Sequence, residues 1–122
     1  MRLASIFALA GLSLLLAVSV LAQKGGGAAP TYSKNVKPIL DKNCVSCHQG
    51  DWAQGGLKLD TPANIQKGGA SGKVILAKSS SKSLLFLRVN GDKGRIMPPA
   101  GKLKASDLKI IKSWIDSGAS FK

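Results

Sequence analysis

Beyond residue 30 the apolar residues of this chain fall into short clusters whose spacing is helical, with no sustained strand alternation and no internal repeat. Val36, Ile39 and Leu40 share one face of a short helix that Ser33 can cap and that leads directly into Cys44. Pro38 lies inside that helix and predicts a kink or a delayed start. Residues 49–58 hold Gly50, Gly55 and Gly56 and read as a loop. Thr61-Pro62 pairs an N-cap with proline at the first helical position, which predicts a short helix to about Gln66, ended by Gly68-Gly69. Ser81 or Ser83 opens the next helix, which carries Leu84, Leu85, Leu87 and Val89 and stops at Asn90-Gly91. A loop with Ile96-Met97-Pro98-Pro99 follows. The last helix spans roughly 105–117, where Leu108, Ile111 and Ile115 recur at helical spacing, joined by Ile110 and Trp114, with Gly118 as its C-terminal cap.

The N-terminal segment has a different character. Met1 and Arg2 form a short positive region, and Leu3 to Leu21 then runs without a charge. Val20-Leu21-Ala22 offers the small residues at which an export peptidase cuts. This is the layout of a secretory signal peptide over residues 1–22. The alternative is an uncleaved anchor, since the run approaches the roughly 20 residues that a membrane helix needs. Residues 23–31 form a flexible, glycine-rich lead-in, and residues 32–122 form one small domain. The expected location is the periplasm or another extracytoplasmic space, with a membrane tie only if the leader stays in place.

Charge narrows the partners. Lys and Arg number 18 against six acids, for a net charge of +12, and every acid is Asp. The charge stays strongly positive once Arg2 leaves with the leader. Such an excess steers a protein toward an acidic partner. Nucleic acid is the other common target of basic chains. Here the lysines are spread along the chain with no basic arm, and an exported protein rarely meets nucleic acid. A monomer with a generally basic surface is the plainest expectation.

The core of such a domain is modest, with two Trp, one Tyr and three Phe in the whole chain. Small domains often recruit a staple. Here the only two cysteines are three residues apart and cannot join distant segments. They belong to Cys44-Val45-Ser46-Cys47-His48, the pattern by which haem c is attached. Two thiols on one helical turn reach the two vinyl groups of a porphyrin, and the following imidazole points at the iron as proximal ligand. Other readings are a local disulfide or redox-active pair, a zinc site, and coincidence. A thioredoxin-like pair needs a βαβ setting, and a four-ligand zinc site needs donors that a chain with one His and two Cys does not have.

The sixth ligand follows by elimination. Without Met1 the chain has one methionine, Met97, and it has no second histidine. Met/His ligation is common in cytochromes c and raises the reduction potential. Met97 stands in a loop stiffened by Pro98-Pro99. The competing readings are a gap-filling core methionine, or lysine or water at the iron. Weaker candidates surround these four residues. Trp52 follows the motif and is placed at the haem edge. Trp114 packs on the first helix or on the haem. Arg88 and Arg95 can pair with a propionate. Leu57, Leu59, Leu84 and Leu87 are candidate pocket walls, and Lys67, Lys73, Lys78 and Lys82 are candidates for a basic docking face, the alternative being a solvated basic loop.

Taken in order, Val36-Lys37-Pro38-Ile39-Leu40, Cys44 to His48, Gly55-Gly56-Leu57-Lys58-Leu59-Asp60, Ser83-Leu84-Leu85, Met97-Pro98-Pro99 and Leu103 to Ala119 resemble the planctomycete-type cytochrome C domain over about residues 34–119. Lys104-Ala105 departs from the Thr-Pro that often opens the last helix in that family. The resemblance implies an all-α, class I-like cytochrome c fold around one covalently bound haem c. It implies thioethers at Cys44 and Cys47, with His48 and Met97 as proximal and distal iron ligands. The function it implies is single-electron transfer with no turnover of its own, as a free carrier or as the haem-bearing subunit of a dehydrogenase or oxidase. A haem-based gas sensor is a third class, and it requires an open sixth position.

Overall fold

The computed structural model describes residues 27–122. The expected signal peptide, with the first part of the lead-in, lies outside the described residues. Among the described residues the regular structure is helical, and the one extended pairing is an isolated bridge between Gly69 and Gly72. No helix among them is long and apolar enough to cross a membrane.

The chain enters its first helix at Tyr32, as a π-helical turn over Tyr32–Val36 that runs into α1, Lys37–Asn43. Ser33 does not cap it, contrary to the expectation. The residue at the N-cap is Thr31, with no side-chain cap of its own. Instead Asn35 reaches back, its Oδ1 accepting the Thr31 backbone N–H at 2.9 Å. Burial of Tyr32 decides the start, because its ring must face inward. Pro38 causes no break. The wider π turn delivers it to the first turn of α1, where a missing N–H costs nothing.

Helix α2, Pro62–Lys67, forms as expected: Thr61 Oγ1 accepts the Asn64 N–H at 3.2 Å and Gly68 ends the helix. Helix α3, Leu84–Asn90, starts after Ser83 and stops at Gly91 in the left-handed conformation. Ser81 lies instead in a preceding 3-10 turn, Ser80–Lys82. Ser83 is fully buried, and its hydroxyl is taken by Leu76 and Ser79 and not by the helix it precedes. Helix α4, Ala105–Asp116, packs on α3, on the 3-10 turn and on the π turn.

These helices meet in one core of Val36, Leu40, Leu59, Ile65, Leu85, Val89, Ile111, Trp114 and Ile115, among others. Trp114 is at its centre. Its ring lies 5.9 Å from Tyr32 and 5.3 Å, edge-on, from Phe121, and its Nε1–H donates to the Ser120 carbonyl at 2.8 Å. Trp114 thus packs between the first helix and the C-terminal segment.

The far end of α4 is tied to the segment before α3 through Asp116, whose carboxylate accepts the Ser80 N–H at 2.9 Å and pairs with Lys112. The Lys112 ammonium, and after it the Ser80 N–H, hold the Asp116 carboxyl down from 3.8 to about 2. A depressed carboxylate stabilises the fold above its unfolded value and loses that contribution as the pH falls through its folded one. Asp116→Asn should therefore flatten the loss of stability between pH 3.8 and about 2. Because the side chain is exposed, the effect should be small. Denaturant midpoints measured across that window check it; parallel acid limbs in the two proteins would refute the link.

Candidate functional site

Cys44 to His48 form a helical turn that grows off the end of α1. The N–H groups of Cys44 and Val45 both donate to the Leu40 carbonyl, at 2.8 and 3.0 Å, and His48 N–H donates back to Cys44 and Val45. The apolar face of α1 thus fixes where the motif sits. Cys44 is half-buried and packs against the core, whereas Cys47 is exposed, and both thiols are free. Burial, with a smaller contribution from Cys47, pushes the Cys44 thiol up to about 11. A redox-active CxxC needs the opposite, a thiol pulled toward the thiolate. No group of three His, Cys or Asp side chains among the described residues is placed to hold a metal ion, which leaves the zinc reading without a donor set.

His48 is half-buried, and its orientation is set by the loop that follows. Its Nδ1 lies 3.1 Å from the Leu57 carbonyl oxygen. A carbonyl only accepts, so Nδ1 carries the proton and Nε2 keeps its lone pair. That is the arrangement of a metal-ligating histidine, whose other ring nitrogen donates to a fixed acceptor. The loop is held to the motif at two more points: Gln54 N–H donates to the Cys47 carbonyl at 3.0 Å, and Leu59 N–H to the His48 carbonyl at 2.7 Å. The residue type of Leu57 suggests a pocket wall and gives no sign of its carbonyl, because a backbone acceptor leaves no mark in the sequence.

Met97 is half-buried and packs against the same core as Cys44. Its N–H donates to the Arg88 carbonyl at 3.0 Å, which ties the loop to α3, and the Met97–Pro98 peptide is cis. Pro98, next to Met97, and Asn43, next to Cys44, line one cleft of about 270 Å³ together with Leu103 and Asp107. The residue after Met97 thus lines the same cleft as the last residue of α1. A larger cavity, about 600 Å³, is lined by Ile65, Lys73, Ile75 and Phe121; neither it nor the smaller cleft is lined by Cys44, Cys47, His48 or Met97 themselves, and only the smaller one is lined by their chain neighbours.

The weaker candidates divide. Leu59 is core, and Leu57 and Leu84 pack against the core; Leu87 is only half-buried. Lys67, Lys73, Lys78 and Lys82 are all exposed. Arg95 is exposed, and the half-buried Arg88 donates to the Arg95 carbonyl. Trp52 is 93 % exposed, on the loop clamped to the motif, and takes no part in the core.

The donor chemistry suits a haem: two thiols on one turn, an imidazole with a free Nε2, and a thioether in a tethered loop. Comparison with known families points the same way. Residues 44–101 match the planctomycete cytochrome C family. The match begins at the first motif cysteine and takes in Met97-Pro98-Pro99. It is narrower than the run of motifs over 34–119, since it stops short of α1 and α4. Comparisons with curated proteins and with solved structures each returned no match. The matched stretch takes in the cysteine pair, His48, the Leu57 acceptor and the Met97 loop.

Proposed function

We propose that this chain is an exported monohaem c-type cytochrome that passes single electrons between redox partners outside the cytoplasm. The observation that carries the reading is the seating of His48 Nδ1 3.1 Å from the Leu57 carbonyl oxygen, immediately after two free thiols on one turn. Bound haem would supply a reversible one-electron Fe(III)/Fe(II) couple. Cys44 and Cys47 present the thiols for its thioether bonds. His48 offers Nε2 as proximal ligand, with the Leu57 carbonyl keeping the ring in place and raising its basicity. Met97 offers a soft thioether as distal ligand, which favours the ferrous state.

The basic surface supports an acidic protein as partner, with Lys67, Lys73, Lys78 and Lys82 exposed toward it. Contacts of that kind weaken as salt screens them. The matched family supports electron transfer as the role, and the apolar leader supports export.

Expression with a c-type haem maturation system tests the reading. The purified protein should show a c-type pyridine haemochrome spectrum and an intact mass equal to the chain plus one haem. Cys44→Ser with Cys47→Ser should abolish the covalent adduct. A wild-type mass without haem, or a mass with two, would refute it.

A further inference from the structure

Arg88 is joined to the 91–97 loop at both ends. Its carbonyl accepts the Met97 N–H at 3.0 Å, and its guanidinium donates from Nη1 to the Arg95 carbonyl at 3.3 Å. Between these two contacts the guanidinium lies against Gly94. A Cβ placed on Gly94 would fall 2.6 Å from Nη1 and 3.0 Å from Cζ, and Gly94 has φ +64°, a conformation suited to glycine. None of the ion pairs among the described residues involves Arg88. A half-buried cation is thus spent on the backbone of one loop. The preceding residue adds to the same closure, its carbonyl taking the N–H groups of Asp92 and Lys93 at 2.9 and 3.3 Å.

We infer that Arg88 and Gly94 form a latch that positions Met97: the guanidinium seats the loop so that the thioether stays directed at the sixth position, and it governs how readily that position opens. This rests on the reading of Met97 as the distal ligand. Arg88 does not touch the iron in this account; it acts through the loop backbone. An exposed hydrogen bond of this length, lost from the closed state alone, favours opening by about two- to fivefold.

The test uses the haem-bearing protein. Wild type should show the sulfur-to-iron charge-transfer absorption in the ferric state and bind CO slowly in the ferrous state. Arg88→Ala and Gly94→Ala should weaken that absorption, speed CO binding by about two- to fivefold, and raise amide hydrogen exchange within residues 91–97. Arg88→Lys, which keeps one donor, should restore part of the absorption. Lys93→Ala, which removes a cation from the same loop but not the latch, should change none of these. Folded Arg88→Ala and Gly94→Ala proteins with wild-type absorption, CO binding and exchange would overturn the latch. If wild type itself lacks the absorption while Arg88→Ala still raises loop exchange, Arg88 holds the loop but Met97 is not the distal ligand, and the control of the sixth position is overturned with that reading.

Discussion

Trp114→Ala should destabilise the domain by about 3–5 kcal/mol, the largest cost expected of any single core substitution here. Trp114 is 1 % exposed and stands between the π turn and the C-terminal segment, in contact distance of both Tyr32 and Phe121. Removing the indole opens a void among three rings that cannot collapse without moving α4 or the first helix. It also leaves the Ser120 carbonyl without its donor. A domain of this size has a total stability of about 5–15 kcal/mol, so the variant should be partly unfolded at moderate temperature. Trp114→Phe separates the two contributions. It keeps most of the ring contact and gives up the hydrogen bond, so it should cost only about 1–2 kcal/mol. Denaturant unfolding of the haem-bearing proteins, followed by far-UV circular dichroism, measures both. A Trp114→Ala cost no larger than that of Trp114→Phe would show that the aromatic cluster does not hold the two ends together.

The same cluster explains what could and could not be read from the chain. Helix α4 was legible because Leu108, Ile111 and Ile115 mark one stripe over two turns, and Ile110 and Trp114 join it at helical spacing. Helix α2 was legible because Thr61-Pro62 states its start in local chemistry. The first helix starts after Thr31 at its N-cap and not after the Ser33 cap that local chemistry suggests. Thr31, Ser33 and Asn35 are all capable of polar bonding at a helix start, and only the burial of Tyr32 against Trp114 and Phe121 chooses among them. That choice depends on residues some eighty positions away. The π turn that makes room for Pro38 follows from it.

The candidate site divides along the same line. Cys44, Cys47 and His48 are adjacent, so their chemistry is written in five consecutive residues. Met97 could be named by scarcity, as the one methionine besides Met1. The groups that orient them were not visible. The Leu57 carbonyl holds His48 and the Arg88 carbonyl holds Met97. Both are backbone atoms, identical at every position until the fold places one of them. The Arg88 guanidinium had a sequence signal, as one of only three arginines in the chain, but that signal pointed to a propionate and not to the Arg95 carbonyl that it meets.

Met97→Ala should produce the largest functional change. In the proposed reading the thioether closes the sixth position and favours the ferrous state, so its loss should lower the reduction potential by on the order of 0.1 V or more, within the roughly 0.8 V span that axial ligands set. The ferric sulfur-to-iron absorption should vanish, and the ferrous protein should bind CO far faster than wild type. The fold should survive. Met97 is only half-buried, and its N–H bond to Arg88 belongs to the backbone and is kept by alanine. Circular dichroism and the covalent haem adduct should therefore match wild type, which separates a lost ligand from a lost fold. Met97→His supplies a different strong ligand from the same position; it should keep CO out while lowering the potential, because imidazole does not share the soft donor's preference for Fe(II). The CO experiment also distinguishes carrier from sensor. A wild-type protein that takes CO as readily as Met97→Ala would have an open sixth position. The single-electron carrier would then lose its main support in favour of a gas-binding haem protein.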